Sequence, residues 1–246
     1  MNNSPPRLRI DRLLVERGLF DSRAKAQAAI EAGLVFADGK QVLKAAETIA
    51  PDANIEASAA HPYVSRGGVK LAAALDHFGI DPTGHVCLDV GASTGGFTQV
   101  LIERGAAKVY AVDVGSGQLH ETVHTRPEVV SLEQTDIRTL APDQLTPPPD
   151  LVVIDTSFIS LKLVLPPALA LTHKPAQLVA LIKPQFEAGR ALVKRGVVRD
   201  AAVHTAVCDD IAAVVASLGW RVDGVIPSPI SGGDGNVEFL LSASSN

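Results

Sequence analysis

The sequence predicts an α/β protein in which a mostly parallel sheet, covered by helices on both faces, follows a small separate module. Three observations predict it. From residue 61 onward, runs rich in Val, Ile and Leu alternate with helical segments, the pattern of strands buried on both faces. Before residue 61 the texture differs: two short amphipathic helices and a hairpin, with no long apolar run. Third, the later strand-like runs end in acids, a lysine or a Gly-rich turn, where open α/β sheets hold ligands.

The first module begins with RIDRLLVERG, whose apolar Ile10, Leu13 and Leu14 lie on one helical face and which ends at Gly18. Ser22 caps a second helix, SRAKAQAAIEAG, closed by Gly33. LVFADGKQV reads as a hairpin turning at Asp38–Gly39, and the tail through Glu56 adds a further strand. After His61–Pro62 the order is VCLDVG, GFTQVLIERG, KVYAVDVG, a strand ending in QTDIR, LVVIDTS, a helix over 161–171, QLVALIKP, a helix over 201–218, RVDGVIPSPI and VEFLLSAS. The predicted organisation is a module over 1–60, a linker over 61–67 and a large domain over 68–246.

Composition narrows the class. The chain has 246 residues, 46% of them hydrophobic and 20% charged, so it has the apolar content for a sizeable core. A net charge of −5 argues against polyanion binding over the whole surface. Locally the sign reverses. Through Lys44, Arg7, Arg9, Arg12, Arg17, Arg23, Lys25, Lys40 and Lys44 oppose Asp11, Glu16, Asp21, Glu31 and Asp38, a balance of +3. Cys87, in a strand, and Cys208, in a helix, read as buried small hydrophobes, and neither a disulfide nor a metal site is expected. MNNSPPRLRI lacks the apolar core of a signal peptide, and Lys162, Pro166, Pro167, Lys174 and Pro175 interrupt the most apolar region. The expectation is a cytoplasmic protein without a membrane span.

VCLDVGASTGGFTQVL is strand, Gly-rich turn, helix. Gly91, Gly95 and Gly96 let backbone approach a ligand, although a tight turn without a ligand has the same look. The spacing G-x-x-x-G-G departs from the dinucleotide pattern G-x-G-x-x-G, which disfavours a nicotinamide dehydrogenase. Asp113 follows about 22 residues after Gly91, at the next strand end, where an acid accepts hydrogen bonds from ribose hydroxyls. Asp136 ends the strand after that and suits an adenine amino group. Each acid alone reads as a solvated loop residue. With Asp89 they make three acids at successive strand ends, which suits a cationic, phosphate-free cofactor such as S-adenosylmethionine. The expected cofactor contacts are Asp89, Gly91, Ala92, Ser93, Thr94, Gly95, Gly96, Phe97, Asp113, Val114, Asp136, Ile137 and Asp155. Lys183 follows five apolar residues, and burying an unpaired ammonium is expensive. It is either half of an ion pair with Asp155 or Glu238, or a lysine acting on a substrate proton.

Taken together, LDVGASTGGFTQ, AVDVG, DTSF, LIKPQFE and NVEF resemble the FtsJ/RrmJ-like ribose 2′-O-methyltransferases. With the N-terminal module and SRGGVKL in front, the order is closer still to the TlyA, or hemolysin A, proteins. RIDRLLVERGLFDSRAKAQAAIEAGLVFADGKQV is similar to the S4-type RNA-binding domain. The resemblance implies a Rossmann-like class I methyltransferase fold with a seven-stranded sheet and an S4-type domain over 1–60. It also implies a Lys-Asp-Lys-Glu tetrad, which falls on Lys70, Asp155, Lys183 and Glu238. The implied reaction is 2′-O-methylation of a cytidine ribose in ribosomal RNA, in 23S RNA first and in some relatives in 16S RNA too, within an assembled subunit. HPYV (61–64) departs from the family's linker, where an Arg and a Trp are common, which bears on interdomain coupling.

A ribose hydroxyl is a poor nucleophile that must be aligned with the methyl and lose its proton. Lys183 is the expected proton acceptor, with Lys70, Asp155 and Glu238 positioning it. Asp-Thr-Ser-Phe lacks the proline pair found in enzymes that methylate base amines, which points to oxygen as the target. Arg7, Arg12, Arg23, Lys25, Lys40 and Lys44 are the expected phosphate contacts, against the plain reading of a solvated charged face. Arg66 divides between an RNA phosphate and a structural ion pair. Gly67–Gly68 suggests a tight turn or hinge before a helix over 69–78. Two other classes compete: a binding-only assembly factor, which a broken tetrad would favour, and a membrane-acting toxin, which lacks any visible amphipathic or spanning segment.

Overall fold

The computed structural model describes residues 7–246, which fall into two compact units divided between Pro62 and Tyr63. The first holds β1 (Leu8–Arg9), α1 (Ile10–Glu16), α2 (Arg23–Glu31), β2 (Val35–Ala37), β3 (Lys40–Gln41), β4 (Thr48–Ile49) and β5 (Ile55–Ala57). Ser22 Oγ accepts the Lys25 N–H at 3.3 Å and caps α2. Asp38 and Gly39, both at positive φ, make the turn that the right-handed twist of a two-residue hairpin demands. β5 pairs with β2, as the tail through Glu56 predicts. The β1–β4 pair is two residues long, too short to leave a period in the sequence. Ile10, Leu14, Phe20, Ala26, Ala29, Ile30, Val35 and Val42 form the core of this unit.

The second unit runs α3 (Gly67–Phe78), β6 (Val86–Val90), α4 (Gly96–Glu103), β7 (Lys108–Val112), α5 (Glu121–His124), β8 (Val129–Leu132), β9 (Leu151–Ile154), α6 (Leu161–Ala170), β10 (Ala176–Ile182), α7 (Pro184–Glu187), α8 (Ala201–Ser217), β11 (Arg221–Pro227) and β12 (Phe239–Ser245). Seven strands form one sheet in the order β11-β12-β10-β9-β6-β7-β8. β12 runs antiparallel to both neighbours, and the remaining adjacent pairs are parallel. Helices α6 and α8 cover one face through Leu161, Val164, Leu165, Ile211 and Val215, and α3 and α4 cover the other through Leu71, Leu75, Val100 and Leu101. The strands are buried on both faces, which is why they read as continuous apolar runs rather than alternating ones.

The register puts the chemistry at one edge. Val90 pairs with Val112 and Ile154, Ile154 with Ala180, and Ile182 with Phe239. Gly91, Asp113, Asp155 and Lys183 each follow a strand, and Glu238 precedes the antiparallel β12, so all five emerge at the same end of the sheet. The chain leaves β8 on one side of β6 and returns through β9 on the other. That reversal opens a crevice at the carboxyl ends of β6 and β9. Two strand-end expectations are corrected here. Asp89 lies inside β6 rather than at its end, and β8 stops at Leu132, leaving Asp136 in the loop beyond.

A third correction concerns the glycine pair. Gly67 and Gly68 do not form a turn; they are the first two residues of α3. A Cβ on Gly68 would lie 2.4 Å from the Tyr63 ring carbon, and one on Gly67 would touch Ser65, Phe97 and Asp155. Close packing, not left-handed backbone, requires glycine here. Among the described residues no helix is long and apolar enough to cross a membrane. Gly68→Ala is expected to destabilise the chain by about 1–3 kcal/mol through overpacking, despite alanine's better helix propensity. Gly233→Ala, whose methyl meets nothing within 4 Å, is expected to stay within about 0.5 kcal/mol; urea unfolding of both variants tests the contrast.

Candidate active site

The crevice is built from four strand ends. A cleft of ≈ 540 Å³ is lined by Gly91 and Ser93 after β6, Asp113 and Val114 after β7, Asp136 and Ile137 beyond β8, and Asp155 and Phe158 after β9. Gly91, at φ 84°, lies where a Cβ would stand 2.5 Å from the Asp155 carbonyl oxygen, so the loop after β6 presses onto the end of β9. Asp113 ties the loops together: its Oδ2 accepts the Ser93 N–H at 2.8 Å and its Oδ1 the Gly115 N–H at 2.7 Å. Glu133 accepts the N–H groups of Gly117, Gln118 and Leu119, and these bonds hold its carboxyl below the usual range.

A smaller cavity of ≈ 180 Å³ shares Gly91, Ser93, Asp155 and Ser157 with the cleft and adds Ala92, Thr94, Gly96, Phe97, Gly67 and Lys183. Lys183 Nζ stands 2.5 Å from Asp155 Oδ1 and donates to Ser157 Oγ at 2.9 Å. Lys70, in the first turns of α3, donates to Glu238 Oε2 at 2.5 Å. Lys70, Lys183 and Glu238 are buried, and Asp155 is partly so. A Cβ on Gly232 would fall 2.0 Å from Glu238 Oε1, so the glycine loop before β12 is moulded around that carboxylate. The four sequence-predicted residues thus form two ion pairs, and Lys183 is the member that lines the cavity. Lys70 and Glu238 line neither space.

Three predicted contacts stand differently. Asp89 lines neither cavity and is wholly buried; it accepts the Thr98 hydroxyl at 2.6 Å, and its other oxygen has no hydrogen-bond partner among the described residues. Burial pushes its carboxyl up to about 7, against the opposing hydrogen bond from Thr98. Gly95, at φ 92°, lines neither space and serves as the N-cap of α4. Asp136 lines the cleft but is held bidentately by Arg138, which lowers its carboxyl to about 2. Arg66 is exposed at the N-cap of α3.

Sequence reading missed Ser157, Arg138 and Phe158 as participants. Phe158 is 91% exposed with φ 65°, its ring centroid 5.1 Å from that of Phe186, which in turn lies 6.0 Å from Lys183 Nζ. A large apolar side chain left in water beside polar chemistry is a signal that only coordinates provide. In the first unit the missed residues are Arg9 and Asp11. Asp11, fully buried, accepts from Arg9 at 3.1 and 2.9 Å, from Arg23 at 3.3 and 2.7 Å, and from Gln27 at 3.1 Å. Two half-exposed guanidiniums are thereby fixed on one carboxylate, whose protonation is strongly disfavoured. Arg12 and Lys25 stand in ion pairs with Glu16 and Asp21, Arg7 donates to the Thr48 carbonyl, and Lys40 and Lys44 are exposed.

Residues 63–245 match the model of the FtsJ-like methyltransferases. The chain belongs to that family. Residues 8–55 match the S4 domain. A relative named 16S/23S rRNA (cytidine-2′-O)-methyltransferase TlyA, from Mycobacterium tuberculosis, is 44% identical over 96% of this chain and 89% of its own. Hemolysin A of Brachyspira hyodysenteriae is 38% identical over 95% and 98%. A solved structure from Streptococcus thermophilus that carries the hemolysin name superposes with TM-score 0.78 at 40% identity, covering 98% of this chain and 89% of that one.

The methyl donor of FtsJ-like methyltransferases is S-adenosylmethionine, and the cleft fits it. Asp113 retains lone pairs for ribose hydroxyls, while Val114 and Ile137 offer apolar walls for a purine. Asp113, Asp136 and Asp155 outnumber Arg138 in the lining, which favours a sulfonium over a phosphate. Asp89 lies beneath the loop and acts on stability instead. Its raised carboxyl keeps a proton in the folded chain between about pH 4 and about pH 7, where the unfolded chain has lost it. By linkage, stability falls as pH rises through that window. Asp89→Asn is expected to abolish that part of the decline, so urea unfolding from pH 4 to 8 should show the variant gaining on wild type toward pH 7.

Proposed function

We propose that this protein transfers a methyl group from S-adenosylmethionine to a ribose 2′-hydroxyl of ribosomal RNA, a cytidine of 23S RNA in the large subunit being the first candidate and 16S RNA a second. The observation that carries this reading is Lys183 on the wall of the small cavity, 2.5 Å from Asp155, where that cavity joins the cofactor cleft. The relatives named for this activity support it. We read residues 1–60 as the RNA-binding domain, 61–67 as the connection and 68–246 as the catalytic domain, working on ribosomes in the cytoplasm.

When bound, the cofactor supplies an electrophilic methyl carbon. With its amine in the neutral form, Lys183 accepts the proton that the attacking hydroxyl loses, and Ser157 and Asp155 fix the direction of that amine. Asp155 also stabilises the ammonium that forms. The Lys70–Glu238 pair is the second support: it keeps β12 and α3 in register around the reacting end. Gly91 lets the loop after β6 press onto the end of β9, and Gly67 lines the small cavity. Phe158 and Phe186 offer an aromatic face to an unstacked base, a contact common in RNA recognition. Asp11 holds Arg9 and Arg23 ready for RNA phosphates, so their ordering precedes binding.

Labelled-methyl transfer to 30S subunits, 50S subunits and naked ribosomal RNA, followed by mapping of the modified nucleotide, tests the reading. Lys183→Ala is expected to lose at least about 100-fold in kcat while binding S-adenosylmethionine and RNA as wild type does. Incorporation by this variant near the wild-type rate would rule out the assigned role, and no incorporation by wild type into any substrate would favour an RNA-binding assembly factor. Asp11→Asn is expected to weaken RNA binding about tenfold, the scale of one charge-assisted hydrogen-bonded contact, with kcat at saturating RNA unchanged.

A further inference from the structure

Residues 191–199 carry Lys194, Arg195 and Arg199 and no acid, in a chain whose net charge is −5. All three are exposed, and among the described residues none forms an ion pair. In the same unit Arg104, Arg126, Arg138, Lys162 and Arg221 each have an acidic partner, and the other cations without one among the described residues, Arg66, Lys108 and Lys174, are scattered singly along the chain. The cations are also mounted rigidly. Lys194 and Val197 exchange both backbone hydrogen bonds, at 3.0 and 3.1 Å, across a two-residue turn in which Arg195 and Gly196 both have positive φ. Arginine does not favour that conformation, so the surroundings must hold it.

The holder is Asn236. Its side chain is buried, donates to the carbonyls of Gly196 and Gly233 at 3.0 Å each, and accepts the Val198 N–H at 3.3 Å. Asn236 lies two residues before Glu238, so one segment carries both the mount of the hairpin and a member of the tetrad. On its other flank, Val193 lines a recess of ≈ 560 Å³ together with Phe158 and Phe186, the aromatic pair beside Lys183.

We propose that this hairpin is a second phosphate grip, within the catalytic unit itself, which holds the RNA backbone next to the reacting nucleotide. The inference rests on the RNA-modifying reading above. An RNA strand whose ribose lies at Lys183 carries its flanking phosphates away from the acid-lined cofactor cleft, and the cations of the hairpin that Asn236 mounts are placed to meet them. Contacts to phosphate set register without reading sequence. The hairpin thus supplies local alignment, while the N-terminal module supplies affinity for a distinct part of the RNA.

The test is Lys194→Gln/Arg195→Gln/Arg199→Gln in the full chain, with 50S subunits and naked 23S RNA as probes. Binding to both is expected to weaken about tenfold or more, and the slope of log Kd against log salt concentration to fall by about two. S-adenosylmethionine affinity and the melting temperature should match wild type. Arg195→Lys/Arg199→Lys should restore the slope, since charge rather than shape is at issue. An unchanged slope in the triple variant overturns the proposal. So does loss of subunit binding with naked RNA bound as before, which would assign the hairpin to an acidic protein surface. Wild-type chain that binds RNA through these residues but transfers no methyl would leave the grip standing and remove the catalytic reading.

Discussion

The meeting of Lys70, Asp155, Lys183 and Glu238 at one end of the sheet depends on one return of the chain: β12 running back antiparallel beside β10. Because β12 begins where β10 ends, Glu238 and Lys183 flank the paired residues Ile182 and Phe239. A parallel strand in that slot would place its first residue at the opposite end of the sheet, some twenty ångströms away for seven residues at about 3.3 Å each. Helix α3 then completes the arrangement, since its first turns bring Lys70 to Glu238. The tetrad is therefore a product of topology, with its members drawn from residues 70, 155, 183 and 238 and no two of them near in sequence.

Two ion pairs in so dry a place are not there for stability. Removing paired charges from water costs several kcal/mol per ion, and hydrophobic replacements of similar volume are often at least as stable. What the pairs provide is position. Each lysine is compensated by a carboxylate, so neither amine stands as an uncompensated buried charge, and each is held to one direction. Gly232 serves the same end from the backbone side, giving the carboxylate of Glu238 space that any side chain would take. Asp89 contrasts with them. It has no cation, one hydroxyl donor and full burial, so its charge is suppressed rather than matched.

Much of this was legible in the sequence. Strand-helix alternation gave the sheet, and polar residues after apolar runs gave Asp113, Asp155 and Lys183 in their places. Where the reading slipped, the cause was physical. Asp89 is still inside β6, where it packs against Thr98, whereas Gly91 lies past the strand's end, and the apolar run does not show where the strand stops. Gly67–Gly68 looks like a hinge because sequence shows only that side chains are missing, not that Tyr63 and Asp155 occupy the space. Partnerships were the least legible feature. Nothing in the spacing says that Lys183 pairs with Asp155 and Lys70 with Glu238, or that Asp11 gathers Arg9, Arg23 and Gln27.

The charge pattern separates two kinds of ligand that a single net value of −5 conceals. Asp113, Asp136 and Asp155 line the cleft and outnumber its one cation, Arg138, which is already held by Asp136, so the lining disfavours phosphate. Cations free of acidic partners lie outside it, at Lys194, Arg195 and Arg199, while Asp11 aligns Arg9 and Arg23 in the other unit. On the proposed reading, a polyanion is drawn to the surroundings of the site and kept out of the cleft itself. On the reading proposed above that division matters to catalysis, because an RNA phosphate in the cofactor's place would block the donor, whereas one held at the hairpin leaves the cleft open.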